Sequence, residues 1–174
     1  MNRWRFASIT AALLALTGVL TVACSAQAQG ARGLAPVLAA TDWIGERPWA
    51  QSLAGDVVVL DVFTVDCYNC QNVVPALRTL YARDRARGLA VIGIHAPETP
   101  AERGRAYVIA SLQRQGIVWP VAVDNGFRLW NAYGVTAWPT QLFFDRHGRL
   151  RATIVGDSQD AAVESTVERL LAEK

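Results

Sequence analysis

The sequence predicts an α/β fold in which a mixed central sheet is flanked by helices, and three observations carry that prediction. Two continuous apolar runs, Val57-Val58-Val59-Leu60-Asp61-Val62-Phe63 and Leu89-Ala90-Val91-Ile92-Gly93-Ile94-His95, have the look of parallel strands buried on both faces. Between them, apolar residues recur at helical spacing through Val73, Val74, Leu77, Leu80 and Tyr81. Later, the turn Asp145-Arg146-His147-Gly148 separates two strand-like runs, the signature of a hairpin. Parallel strands with crossover helices, then an antiparallel hairpin and a terminal helix, place helices on both faces of the sheet.

Taken in order, the chain begins with Arg3 and Arg5, a largely apolar stretch over 6–23, and the small residues Ser25-Ala26-Gln27-Ala28. Residues 1–28 therefore read as a secretory leader or lipoprotein signal, and the protein is expected in the periplasm or elsewhere outside the cytosol. Thr21-Val22-Ala23-Cys24 is an imperfect lipoprotein-type site, while Ala26-Gln27-Ala28 offers an A-x-A cleavage site. Cys24 is accordingly either lipidated or removed. An uncleaved leader acting as an anchor ranks third, since roughly 18 apolar residues is near the lower limit for a membrane span. The small-residue stretch 29–40 reads as a tether, and 41–174 as the folded domain.

Within that domain, 43–56 holds Trp43, Trp49 and Pro48 and reads as a short hairpin or irregular lead-in against the sheet. Strand 57–63 follows, then a helix over 70–87 that Gly88 stops. Strand 89–95, a helix over 100–115 ended by Gly116, and a strand over 117–123 come next. A short helix at 125–133 leads through Trp138-Pro139 to strands 140–144 and 150–155. The helix over 157–171 closes the chain, with Asp157 or Ser158 as its expected N-cap.

Length and charge narrow the function. Without the leader roughly 145 residues remain, enough for one domain with a substantial core. The chain carries 17 basic and 15 acidic residues, and loss of Arg3 and Arg5 balances them. No basic stripe argues for nucleic acid. The cluster Arg78, Arg83, Arg85 and Arg87 is interleaved with Asp84 on one predicted helix and reads as a solvated face.

The chemistry centres on Cys67-Tyr68-Asn69-Cys70, a thiol pair placed where a strand gives way to a helix. Cys67 falls at or just before the helix N-terminus, where unpaired N–H groups and the helix dipole stabilise a thiolate, so it is the expected nucleophile. Cys70, one turn inside the helix, can attack a mixed disulfide formed by Cys67 and is the expected resolving thiol. Asp61 is a carboxylate in an otherwise apolar strand, costly unless its pKa rises or hydrogen bonds hold it. Pro139 follows an aromatic residue and precedes a strand, a setting compatible with a cis peptide bond at Trp138-Pro139. Pro75 removes one helical hydrogen bond and reads as shaping the helix.

These positions together resemble the thioredoxin fold, and most closely the TlpA-like extracytoplasmic thiol-disulfide oxidoreductases, over 43–171. The markers are Asp61 six residues before Cys67, the Cys67/Cys70 pair, Pro75 five residues after Cys70, and Trp138-Pro139-Thr140 before the hairpin. Leu53-Ala54-Gly55-Asp56 is similar to that family's lead-in, and 97–125 to its helix-plus-strand insertion. The resemblance implies a redox disulfide between Cys67 and Cys70, Asp61 as proton acceptor for the resolving thiol, and a Trp138-Pro139 loop that faces the cysteines and binds substrate. It implies no bound cofactor. The partners it implies are protein thiols and disulfides plus an upstream electron-donor protein, with the enzyme monomeric, acting as a reductase, and a role in cytochrome c maturation within reach.

Two features depart from the family pattern. Asp66 precedes Cys67 where an aromatic residue is usual, and a nearby carboxylate opposes a thiolate. Tyr68-Asn69 differs from the Gly-Pro and Pro-His of better-known branches, so the redox potential does not transfer. Three other readings compete. A structural disulfide would close too short a loop to be a useful staple. A copper-binding, chaperone-like module would need a histidine beside the thiols, and only His95 and His147 are available. A thiol peroxidase is the weakest candidate: Thr64 lies three residues before Cys67, and no activating arginine is evident.

Overall fold

The computed structural model describes residues 33–173. The leader over 1–28, Cys24 and the first residues of the 29–40 stretch lie outside the described residues. A six-stranded mixed sheet organises the domain in the order β1-β4-β3-β2-β5-β6. Strands β2 (Val57–Phe63), β3 (Leu89–His95) and β4 (Val121–Val123) run parallel. β5 (Thr140–Phe144) lies antiparallel to β2, β6 (Leu150–Val155) antiparallel to β5, and β1 (Trp43–Ile44) antiparallel to β4.

The central position of β2 explains its composition. Val57, Val59 and Phe63 enter one apolar cluster and Val58, Leu60 and Val62 the other, as the two-residue period of a strand requires. The first cluster is closed by α2 (Tyr68–Asp84), α3 (Arg105–Gln115) and α5 (Asp160–Ala172). The second is closed by α1 (Ala35–Leu38) and α4 (Arg128–Tyr133). Gly93 is needed on the first face: a Cβ there would meet Phe63 Cε1 at 2.9 Å and Val121 Cγ2 at 3.0 Å.

Several boundaries differ from the sequence reading, each for a local reason. The stretch read as a tether contains α1, whose Val37 is fully buried and whose backbone N–H donates to the Tyr133 hydroxyl at 3.2 Å. The helix expected over 100–115 is broken: a 3-10 turn at Ala101–Arg103 ends at Gly104, whose extended ψ of 110° restarts the chain as α3. The strand expected over 117–123 is reduced to Val121–Val123, because Pro120 has no N–H for a ladder and contributes only its carbonyl, to the Gly93 N–H at 2.8 Å. The short helix starts at Arg128, not 125, after Phe127 takes a left-handed φ of 55°. The last helix starts at Asp160 behind Gln159, and the expected cap Asp157 instead accepts a hydrogen bond from Asn72 Nδ2 at 2.8 Å.

The arginines at the end of α2 and in the 3-10 turn that follows it are more than a solvated face. Arg83 and Arg87 converge on the buried Asp84 and reach across to Glu164 and Glu168 of α5, tying the two helices together.

Candidate redox site

The site forms at the C-terminal ends of the parallel strands. α2 begins at Tyr68 rather than Cys70, so Cys67 is its N-cap, with extended backbone at φ −73° and ψ 116°. The Cys70 N–H donates to Cys67 Sγ at 3.2 Å, which gives one of the orphan donors of the first turn to the sulfur. Cys67 and Cys70 are joined as a disulfide with their Cα atoms 5.2 Å apart. Cys67 is partly exposed and Tyr68 is 75% exposed, whereas Cys70 is buried against Val73, Val74 and Leu77. Only the first sulfur can be met from solvent.

The segment entering Cys67 is held at every residue. The Val65 carbonyl accepts from Gln71 Nε2 and Gln115 Nε2, both at 2.9 Å. Asp66 directs its carboxylate to the Tyr107 hydroxyl, which donates at 2.9 Å and 3.1 Å to its two oxygens. That contact pushes the Tyr107 phenol up. Thr64 is buried, and its hydroxyl donates to Glu102.

Asp61 lies on the α2 side of the sheet with Val59 and Phe63, facing Gln141 in register across β5 and Gly93 across β3. Burial pushes its pKa up to about 6, against a hydrogen bond from Gln141 Nε2 at 3.0 Å. Gln141 escaped the sequence reading, because a glutamine in the run Thr-Gln-Leu-Phe-Phe carries no local signal of what it faces. Glu102 escaped for the same reason.

The Trp138-Pro139 bond is cis. Trp138 is half-buried against the same cluster as Cys67, its Nε1–H donating to the Ala96 carbonyl at 3.1 Å and its ring 4.4 Å from that of Trp130. Pro139 is buried, and its carbonyl accepts from the Gly156 N–H at 2.9 Å.

The two histidines fall apart. His147 is exposed in the β5–β6 turn. His95 is fully buried behind the 64–66 segment, edge-on to Phe63 with ring centroids 5.8 Å apart and 3.5 Å from Thr64 Oγ1 through Nε2. Burial lowers its pKa to about 4, outweighing the Glu102 charge. Among the described residues no group of three or more His, Cys, Asp or Glu is placed to hold a metal ion. No helix among them is long and apolar enough to cross a membrane.

The arrangement can exchange a disulfide: an accessible sulfur at a helix N-terminus, a second sulfur shielded behind it, and a buried carboxylate with a raised pKa on the same side of the sheet. A model of the AhpC/TSA family matches residues 32–153. Protein DipZ of Mycobacterium tuberculosis is 34% identical over 144 residues, covering 80% of this chain, and the chain spans only 21% of that relative's length. The thiol-disulfide oxidoreductase ResA of Bacillus anthracis is 26% identical over 136 residues, covering 78% of this chain and 76% of ResA. Among solved structures, a thiol-disulfide isomerase from Corynebacterium glutamicum superposes with a TM-score of 0.69 at 26% identity, covering 78% of this chain and 94% of that one. The fold is thioredoxin-like.

Proposed function

The chain belongs to the AhpC/TSA family, among its TlpA-like thioredoxin-fold members, and from that premise we infer that it is a thiol-disulfide oxidoreductase acting on protein dithiols and disulfides. The observation that carries this reading is the asymmetry of the pair, with Cys67 partly exposed at the α2 N-cap and Cys70 buried one turn behind it.

In the reductive direction the Cys67 thiolate attacks one sulfur of a partner's disulfide. A Cys67–partner bond forms and the partner's first thiolate leaves. Cys70 then loses its proton to the Asp61 carboxylate and attacks Cys67 Sγ, which releases the partner's second thiolate and forms the Cys67–Cys70 disulfide. Two electrons pass from the dithiol to the partner. A carboxylate with a pKa of about 6 is a better match for a thiol proton than an ordinary aspartate. The cis Trp138-Pro139 loop, whose Trp138 packs on the same apolar cluster as Cys67, is the surface on which an extended partner segment would dock, its backbone adding one strand.

Recharging needs a second protein dithiol. We place the enzyme outside the cytosol on the leader over 1–28, soluble or held to a membrane through lipid on Cys24, and assign it a reductive role that includes cytochrome c maturation. The TlpA-like resemblance supports both assignments. The test is trapping: the Cys70→Ser protein should accumulate mixed disulfides through Cys67, and Cys67→Ser should accumulate none. The opposite pattern would reverse the two roles, and no exchange with glutathione by the native protein would end the reading.

A further inference from the structure

Glu102 comes from the 3-10 turn before α3, far from the cysteines in sequence, and is fully buried. Its Oε1 accepts from the Thr64 hydroxyl and from the Asp66 N–H at 3.1 Å, and its Oε2 accepts from the Glu98 and Thr99 N–H groups at 2.9 Å and 2.6 Å. Two donors on each oxygen use the acceptor capacity of an ionised carboxylate, which a carboxylic acid or an amide would not reproduce. Burial would push the Glu102 pKa up, but these hydrogen bonds outweigh it and hold it below its ordinary range. Such a charge is costly to bury unless every lone pair is used, so the site is built.

What it holds is the chain immediately before the nucleophile. Asp66 is the residue preceding Cys67, and Thr64 is the first residue after β2. With the reading of Cys67 as nucleophile as its basis, we propose that Glu102 is a positioning residue: it clamps the 64–66 segment to the 98–99 loop and so keeps Cys67 Sγ on the Cys70 N–H. Helix-terminal stabilisation of an anion falls off within one turn, so a sulfur released from that donor loses the benefit. Thr64 serves the clamp as a spacer, because its single hydroxyl hydrogen is spent on Glu102.

Charge and positioning predict opposite signs, which makes the idea testable. The charged and ionisable groups that contacts place on this segment are Asp66 itself, Tyr107 of α3 with Arg114 beside it, Glu102 of the 3-10 turn, and His95 at the end of β3. Removing the Glu102 charge alone would ease ionisation of Cys67. Releasing the clamp would make it harder.

The experiment follows alkylation of Cys67 by iodoacetamide against pH in the reduced full chain carrying Cys70→Ser, with and without Glu102→Gln or Thr64→Val. Thr64→Val keeps the negative charge, and it stands in if Glu102→Gln does not fold. The midpoint should rise by about one pH unit in both variants, with about tenfold less thiolate below the midpoint, and Thr64→Ser should restore it. A midpoint that falls in Glu102→Gln would make the effect one of charge. A midpoint unmoved in both, with only the melting temperature lowered, would make Glu102 a structural residue. Either overturns the proposal. Absence of any Cys67 mixed disulfide with glutathione in the Cys70→Ser parent would instead overturn the nucleophile assignment on which it rests.

Discussion

Asp61 and Gln141 stand opposite each other on β2 and β5, and the Gln141 amide donates to the Asp61 carboxylate at 3.0 Å inside the core. One neutral donor does not replace water around a carboxylate, which is why burial dominates and the Asp61 pKa rises from 3.8 to about 6. The consequence for stability has a definite sign. The folded state binds the Asp61 proton more tightly than the unfolded chain, so this residue's contribution is most favourable below pH 3.8 and is lost as pH rises through about 6. At about 1.4 kcal/mol per pH unit the loss is on the order of 2–3 kcal/mol. Asp61→Asn, which keeps an oxygen for Gln141, should therefore stabilise the oxidised protein by about 2 kcal/mol at pH 7.5 and leave it unchanged near pH 3.5. Urea unfolding of both proteins at the two pH values checks this, and equal stability at pH 7.5 would contradict it.

Gln141→Leu should move the same pKa further up, because it removes the hydrogen bond that opposes burial. Carbon-13 NMR titration of the Asp61 carboxyl reads the value directly. Under the proposed proton transfer from Cys70 to Asp61, the rate at which Cys70 closes the disulfide should shift to higher pH with it. A carboxyl that still titrates near 6 would show that Gln141 contributes nothing to its environment.

The parts of the site legible in the sequence are those whose signal is local. Cys67 and Cys70 are two residues apart and follow an apolar run, and Trp138-Pro139 precedes a strand. Strands 57–63, 89–95, 140–144 and 150–155 were legible to the residue, since each is an apolar or alternating run bounded by turn residues. What sequence reading could not supply depends on contacts across the chain. Gln141 matters only because register sets it against Asp61, and Glu102 only because its turn folds back on 64–66. Asp157 obeys the local rule for an N-cap, yet Asn72 of a distant helix takes its carboxylate, and the last helix starts later. Tertiary contacts likewise recruit Val37 into the core from a segment whose composition resembles a tether.

Asp84 is the anchor of the α2–α5 contact, and its neighbours differ sharply in exposure. Its side chain is fully buried, while Arg83, Arg87 and Glu168 are each more than two-fifths exposed. Burial alone would push its pKa up, but hydrogen bonds from Arg83 and Arg87 outweigh it and hold the carboxylate below its ordinary range. Asp84→Ala should cost about 1–3 kcal/mol, whereas Glu168→Ala, which breaks only solvent-screened pairs, should cost less than about 1 kcal/mol. The Asp84 contribution is present above its ordinary pKa of 3.8 and disappears as pH falls below it. Thermal melts of the two variants at pH 7 and pH 3 separate these cases. A larger loss from Glu168→Ala would place the weight of the contact on the surface pairs instead.

Gly93 tests how tightly the sheet face beneath the cysteines is packed. Its φ is not left-handed, so alanine meets no backbone penalty there, and the cost comes from contact alone. The new methyl would sit 2.9 Å from Phe63 Cε1 and 3.0 Å from Val121 Cγ2. Phe63 cannot yield freely, because His95 lies edge-on to it at 5.8 Å and the ring is fully buried. Overpacking of this kind costs about 1–3 kcal/mol. Since Phe63 immediately precedes Thr64, a ring pushed outward would also disturb the segment that leads to Cys67. Gly93→Ala should therefore lower the urea midpoint and slow Cys67 alkylation together. Val58→Ala, a cavity on the opposite face of the sheet in the neighbouring strand β2, should lower stability comparably and leave the alkylation rate unchanged. Equal alkylation rates in both variants would mean that packing beneath the site does not reach Cys67.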